Sequence, residues 1–101
     1  MKTIGLNEKC IIRTNRAGVF FATLAEYDAV NREAVLKDCR RLWYWDGAAS
    51  ISQLAVEGVK NPQNCKFTIV VPTMQVMELI EIIPCTEDAI NSINEVAVWK
   101  K

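Results

Sequence analysis

Apolar and polar positions along this chain alternate mostly with the period of strands. Lys9-Cys10-Ile11-Ile12-Arg13-Thr14 is a short β-branched run that ends at the turn signal Asn15-Arg16-Ala17-Gly18. A second run, Val19 to Tyr27, is rich in aromatic and β-branched residues, and Asp28-Ala29-Val30-Asn31 supplies turn-prone residues behind it. Glu33 to Trp45 reads as a third, long strand closed by Asp46-Gly47. These three runs predict a meander.

The period then changes. Ile51, Leu54 and Ala55 fall at i, i+3 and i+4, which predicts a short helix from Ile51 to Glu57 with Ser50 as its cap and Gly58 as its stop. Lys60-Asn61-Pro62-Gln63-Asn64 reads as a loop. Lys66 to Val71 and Val76 to Ile83 read as two further strands joined around Pro72-Thr73. Thr86 caps a last helical turn with Glu87 and Asp88 at its start, and Val96-Ala97-Val98-Trp99 can close the fold as a strand. Five or six short strands with small helical insertions predict a mainly β protein: a small SH3-like or Sm-like, partly open β-barrel with one or two short helices. At 101 residues the whole chain, 1–101, is expected to form one domain around one core.

Composition narrows the function classes. No apolar run reaches the roughly 18–20 residues of a membrane span. The segment Met1 to Glu8 has no signal-peptide pattern, so a cytoplasmic address is expected. Net charge is zero, which argues against bulk nucleic-acid binding, but its distribution is uneven. Residues 1–45 hold eight bases against five acids, and residues 46–101 hold four against seven. All five arginines precede residue 42. Such a split marks either a basic face or a barrel that mixes the two halves in space. The four cysteines show no C-x-x-C pair and the chain has no histidine. They therefore read as small buried hydrophobes, and no metal or cofactor is expected.

The same absences weaken catalysis. Without histidine neither a Cys-His nor a Ser-His pair can form, and no G-x-S-x-G elbow or Gly-rich phosphate loop is present. The acids Glu78/Glu81 and Glu87/Asp88 read as solvated faces. A non-enzymatic protein is expected.

The candidate chemistry lies in Arg40-Arg41-Leu42-Trp43-Tyr44-Trp45. Tandem guanidinium groups beside large π faces can stack a planar group and neutralise a phosphate. On a strand, Cys39, Arg41, Trp43 and Trp45 share one side, and Arg40, Leu42 and Tyr44 the other. If Leu42 marks the buried side, Arg41, Trp43 and Trp45 form an outward stripe. Core packing, a protein interface and a ligand site are the three uses it admits. The N-terminus of the following helix is either an ordinary cap or a source of N–H groups for an anion. Arg13 and Arg16 flank the first turn, as solvated turn arginines or as part of a basic rim.

Two resemblances add to this. Thr23-Leu24-Ala25-Glu26-Tyr27-Asp28 with Glu33-Ala34-Val35-Leu36-Lys37-Asp38-Cys39 resembles the strand-turn-strand pattern of Sm-like barrels over about a quarter of the chain. Ala22 replaces the pattern's glycine, and no I-R-G signature occurs between Val70 and Glu81, so Sm-type RNA binding is not implied. More extensively, Arg40-Arg41-Leu42-Trp43-Tyr44-Trp45, Gly47-Ala48, Ser52-Gln53-Leu54-Ala55, Gly58-Val59, Cys65-Lys66-Phe67 and Glu81-Ile82-Ile83-Pro84 resemble a family of small, uncharacterised phage and prophage proteins. That resemblance implies a phage accessory protein in the bacterial host cytoplasm. The expected function is counter-defence binding, in its sharpest form sequestration of a nucleotide-like ligand by a homo-oligomer through Arg40, Arg41, Trp43, Tyr44 and Trp45. The alternatives are a homo-oligomeric or host-protein interaction module, as in virion assembly, and a single-stranded nucleic-acid binder.

Overall fold

A computed structural model describes residues 2–101. The elements run β1 (Lys9–Thr14), β2 (Val19–Asp28), β3 (Glu33–Tyr44), α1 (Ile51–Glu57), a 3-10 turn (Pro62–Asn64), β4 (Lys66–Phe67), β5 (Val71–Val76), β6 (Leu79–Pro84) and α2 (Glu87–Asn94). All six strands pair antiparallel in one sheet of order β4-β3-β2-β1-β6, with β5 also on β3. The strand β3 therefore has two partners on one edge: β5 along Ala34 to Cys39 and β4 at Leu42 and Tyr44. The last two strands are joined by Met77-Glu78 alone, yet β5 pairs with β3 and β6 with β1. The sheet thus curls toward a barrel and stays unclosed, the mainly β, partly open form that the patterning predicts. No helix among the described residues is long and apolar enough to cross a membrane.

Two hydrophobic clusters stand where one core was expected, because the sheet is covered on both sides. Cys10, Ile12, Phe20, Ala22, Leu24, Ala34, Leu36, Cys39, Val76 and Leu79 fill the curled interior. Ile11, Phe21, Leu42, Leu54, Ala55, Val59, Cys65, Phe67, Ile93 and Val96 pack on the outer side beneath α1 and α2. Double coverage explains the unbroken apolar runs Cys10-Ile11-Ile12 and Phe20-Phe21-Ala22, which a half-exposed sheet would have interrupted with polar residues. Each fully buried large side chain contributes about 1.5–3 kcal/mol.

The helices follow their caps. The Ser50 hydroxyl accepts from Gln53 N–H at 3.1 Å, and Gly58, at φ 79°, ends α1 by donating its N–H to Leu54 O at 3.0 Å. Thr86 Oγ1 accepts from Ala89 N–H at 3.1 Å, and α2 runs two turns rather than one. The Thr86 N–H also donates to Ala55 O at 3.0 Å, tying the end of α1 to the start of α2.

Three boundaries differ from the patterning. Pro72-Thr73 is not a turn: Pro72 lies inside β5, between the paired Val71 and Thr73, on a strand with a single ladder. An edge strand has no use for the missing N–H on its free side. The real turn is Met77-Glu78, where Glu78 takes φ 58° and Asn15 N–H donates to Glu78 O at 2.9 Å. The expected strand at Val96-Trp99 is reduced to one parallel bridge, Phe67 to Val98, with Trp99 N–H donating to Phe67 O at 2.9 Å.

A bulge in β3 positions the candidate residues. Phe21 pairs with Arg40 and Thr23 with Lys37, so β3 spends one residue more than β2 over this step. Asp38 sits there at φ 49°, a left-handed conformation that aspartate tolerates better than most residues. Before the bulge Ala34 and Leu36 point into the interior; after it Cys39 does. Side chains two apart from Cys39, at Arg41 and Trp43, therefore continue the interior side, and Arg40 and Leu42 point toward the helices.

Candidate binding surface

The two tandem arginines separate completely. Arg40 is 5% exposed, and its guanidinium donates to Thr68 O at 3.1 Å, Ile93 O at 3.2 Å, Phe67 O at 3.3 Å and Ala97 O at 3.4 Å. It thereby ties β3 to β4, to the carbonyl end of α2 and to the C-terminal segment, and it stacks on Phe67 at 5.5 Å. Burial lowers its pKa from the ordinary arginine value. Its side chain faces inward, away from the aromatic surface.

Arg41 is exposed and lies over the ring of the fully buried Phe20 at 4.9 Å. Among the described residues its side chain makes no hydrogen bond and no ion pair. Two residues on, Trp43 is 61% exposed and stacks on Trp99, with ring centroids 5.3 Å apart and planes 23° from parallel. Lys66 on β4 reaches over both rings, its Nζ 5.1 Å from the Trp43 centroid and 5.6 Å from that of Trp99. The three side chains come from three adjacent extended segments, which the Leu42–Phe67 and Phe67–Val98 pairings hold side by side. A groove of about 380 Å³ runs beside Trp99, walled by Pro62, Gln63, Cys65, Glu95, Ala97 and Val98.

Leu42 is buried, so the outward stripe forms, but only as Arg41 and Trp43. Trp45 leaves it because β3 ends at Tyr44; its ring packs, half-buried, against the helix-side cluster. Tyr44 is half exposed and pairs with Lys66 on β4, where a second register shift in β3 falls between Leu42 and Tyr44. Trp99 and Lys66 take the place of Trp45, and neither is marked by local spacing. Only the pairing of the C-terminal segment with Phe67 brings Trp99 to Trp43, across a sequence gap that no periodicity reports.

Arg13 and Arg16, read as solvated turn arginines or as part of a basic rim, are exposed and each is ion-paired. Arg13 Nε lies 3.2 Å from Glu81 Oε1, and Arg16 Nε lies 3.1 Å from Glu78 Oε2, which also accepts from Asn15 Nδ2 at 3.2 Å. Glu78 and Glu81, read as solvated, carry both ion pairs, and each pair joins the basic half of the chain to the acidic half.

Residues 7–93 match a family described as a domain of unknown function, DUF6948. The chain belongs to the DUF6948 family. No curated protein and no solved structure matches it. The region of the DUF6948 match holds Arg40, Arg41, Trp43 and Lys66 and stops before Trp99.

The DUF6948 domain's four cysteines are free; Cys10, Cys39 and Cys65 are buried and Cys85 is half-buried. Burial raises the pKa of Cys10 and of Cys39 to about 11 and that of Cys85 to about 12. These three thiols stay protonated near neutral pH, the state of packing groups rather than nucleophiles. Among the described residues no group of histidine, cysteine or acidic side chains is placed to hold a metal ion.

Proposed function

We propose that this chain is a non-enzymatic interaction module, and that the face of Trp43, Lys66 and Trp99 is where copies of it associate. One observation carries the reading: two tryptophans, 61% and 40% exposed, are stacked on each other with a lysine across them on an open face. Tryptophan is the residue that interfaces most often use as an energetic anchor. A pocket that sequesters a small molecule buries about 70–90% of it. Here the space between the indoles, where a planar ligand would insert, is already filled by the pair itself. The phage and prophage resemblance supplies a setting, an accessory protein in bacterial host cytoplasm acting in assembly or against host defence through a homo-oligomer.

Light scattering tests it. The native chain should be larger than a monomer, and Trp43→Ala and Trp99→Ala should each return it to a monomer with unchanged far-UV circular dichroism. A native chain that stays monomeric at high micromolar concentration sinks the reading.

The groove beside Trp99 favours a second reading, sequestration of a nucleotide-like ligand. Trp99 would stack the base, the Gln63 amide and Glu95 carboxylate would meet its edge, and Lys66 would meet a phosphate. Calorimetric titration with cyclic and ADP-ribose-type nucleotides checks it; no heat at millimolar ligand rejects it.

A further inference from the structure

The open end of the barrel holds a second candidate, separate from the tryptophan face. Arg41, Arg16 and Glu78 line a cleft of about 340 Å³ there, together with Met74, Val76 and Met77. Three other arginines have found acceptors: Arg13 in Glu81, Arg16 in Glu78 and Arg40 in four backbone carbonyls. Arg41 has not. Its guanidinium carbon lies 4.9 Å from the Phe20 ring centroid, a cation–π contact that leaves its N–H groups free to donate. The fork thus sits beside Phe20 and, among the described residues, has no hydrogen-bond or ion-pair partner.

We propose that this cleft binds a small amphipathic carboxylate, with the carboxylate bidentate on Arg41 and the apolar body on Met74, Val76 and Met77. The charge balance selects a monoanion. Arg16 and Glu78 neutralise each other through their ion pair, which leaves the single positive charge of Arg41. A phosphate dianion would exceed that charge and face the Glu78 carboxylate across the cleft. The planar guanidinium matches a carboxylate through two parallel N–H···O bonds. Methionine side chains adapt to alkyl or aryl bodies of differing shape, and Met77 is 54% exposed at the entrance. The volume lies at the lower end of the range for small-ligand sites, about 300–1,000 Å³.

The test titrates sodium octanoate, below its micellar concentration, into the protein carrying ¹³C-labelled methionine methyl groups. Octanoate should shift two methyl resonances, those of Met74 and Met77, saturably. Arg41→Gln should weaken binding at least tenfold, and Arg41→Lys, which keeps the charge and loses the fork, several-fold. The methyl spectrum of each free variant reports whether its fold is intact, and Met77→Asp, at an exposed position that takes no part in the Arg41–Phe20 contact, provides a second route to loss of binding. Binding of octanol as tight as octanoate, or octanoate affinity unchanged in Arg41→Lys and Met77→Asp, overturns the proposal. Tighter binding of octyl phosphate than octanoate overturns the carboxylate assignment. None of these outcomes touches the self-association reading, because Trp43, Lys66 and Trp99 take no part in the cleft.

Discussion

The two halves of β3 share a strand and a neighbour, β2, yet meet opposite fates. Along Ala34–Cys39 the other edge is covered by β5, and the inward side chains Ala34, Leu36 and Cys39 are at most 2% exposed. Along Arg40–Tyr44 the other edge has only the two-residue β4, and the continuation of the same interior side emerges as exposed Arg41 and Trp43. Apolar and aromatic content alone does not decide which half is sealed, since Trp43, a large hydrophobic side chain, is 61% exposed. Coverage by a second strand decides it. On the opposite side of the strand the order reverses: Arg40 and Leu42 are buried because α2 and the C-terminal segment close over them.

The sharpest way to break this comparison is to truncate each arginine in turn. Arg40→Ala takes a donor from four carbonyls: Phe67 O keeps the Trp99 N–H and Ile93 O the Val96 N–H, while Thr68 O and Ala97 O lose the guanidinium with nothing else on them among the described backbone contacts. Leaving a buried acceptor without its donor costs about 1–3 kcal/mol, and the lost packing of the side chain on Phe67 adds to it. Arg41→Ala loses an exposed cation–π contact, about 0.5–1 kcal/mol. Denaturant unfolding should rank them in that order, with Arg40→Lys between, because an ammonium cannot span carbonyls arranged around a planar fork. Equal losses at the two positions would show that coverage does not distinguish the halves.

Much of the fold is legible in the sequence where chemistry is local. The first three strands and α1 lie where alternation, turn residues and the Ser50 cap place them, with β2 and β3 each ending one residue from the expected position. Legibility fails where a long-range contact overrides a local signal. Pro72 reads as a turn and is tolerated in a strand because only one side of β5 is paired. Glu78 does not read as a turn residue, yet it takes a positive φ while Asn15 and Arg16 hold it from across the barrel mouth. The candidate surface divides the same way. Exposure of Arg41 and Trp43 follows from alternation once Leu42 is known to be buried. The inward turn of Arg40 and the pairing of Trp43 with Trp99 depend on where α2 and the C-terminal segment return, which no spacing encodes.

The bulge at Asp38 gives a second, smaller prediction. It switches which parity of residue faces the interior, so the surface character of Arg41 and Trp43 rests on one residue with φ 49°. Asp38→Val, whose β-branched side chain is disfavoured in that conformation, should cost about 1–2 kcal/mol in thermal unfolding. Asp38→Gly should be neutral or stabilising. Tryptophan fluorescence sharpens the point, since only the valine variant should disturb the Trp43–Trp99 stack two turns of alternation away. A valine variant as stable as the glycine one would mean that the bulge does not depend on this backbone conformation.

The smallest effect lies at the barrel mouth, where the sealed and open regions meet. Hydrogen bonding from Arg16, and then from Asn15, holds the Glu78 carboxyl below the ordinary glutamate value, against an opposing effect of desolvation. A carboxylate with a depressed folded-state pKa stabilises the fold above its ordinary pKa, and that contribution fades as pH falls through the depressed value. Glu78→Gln should therefore lower the melting temperature slightly at pH 7, and the gap between variant and native chain should close as the solution is acidified past the carboxylate range. The ion pair is exposed to solvent, so the gap should also shrink with added salt, whose screening length is about 8 Å at 0.15 M. A gap that is the same at pH 7 and pH 3 would assign Glu78 to the turn geometry alone. A gap that closes would show the Arg16–Glu78 pair acting electrostatically to hold together the two turns that the unclosed sheet leaves unpaired.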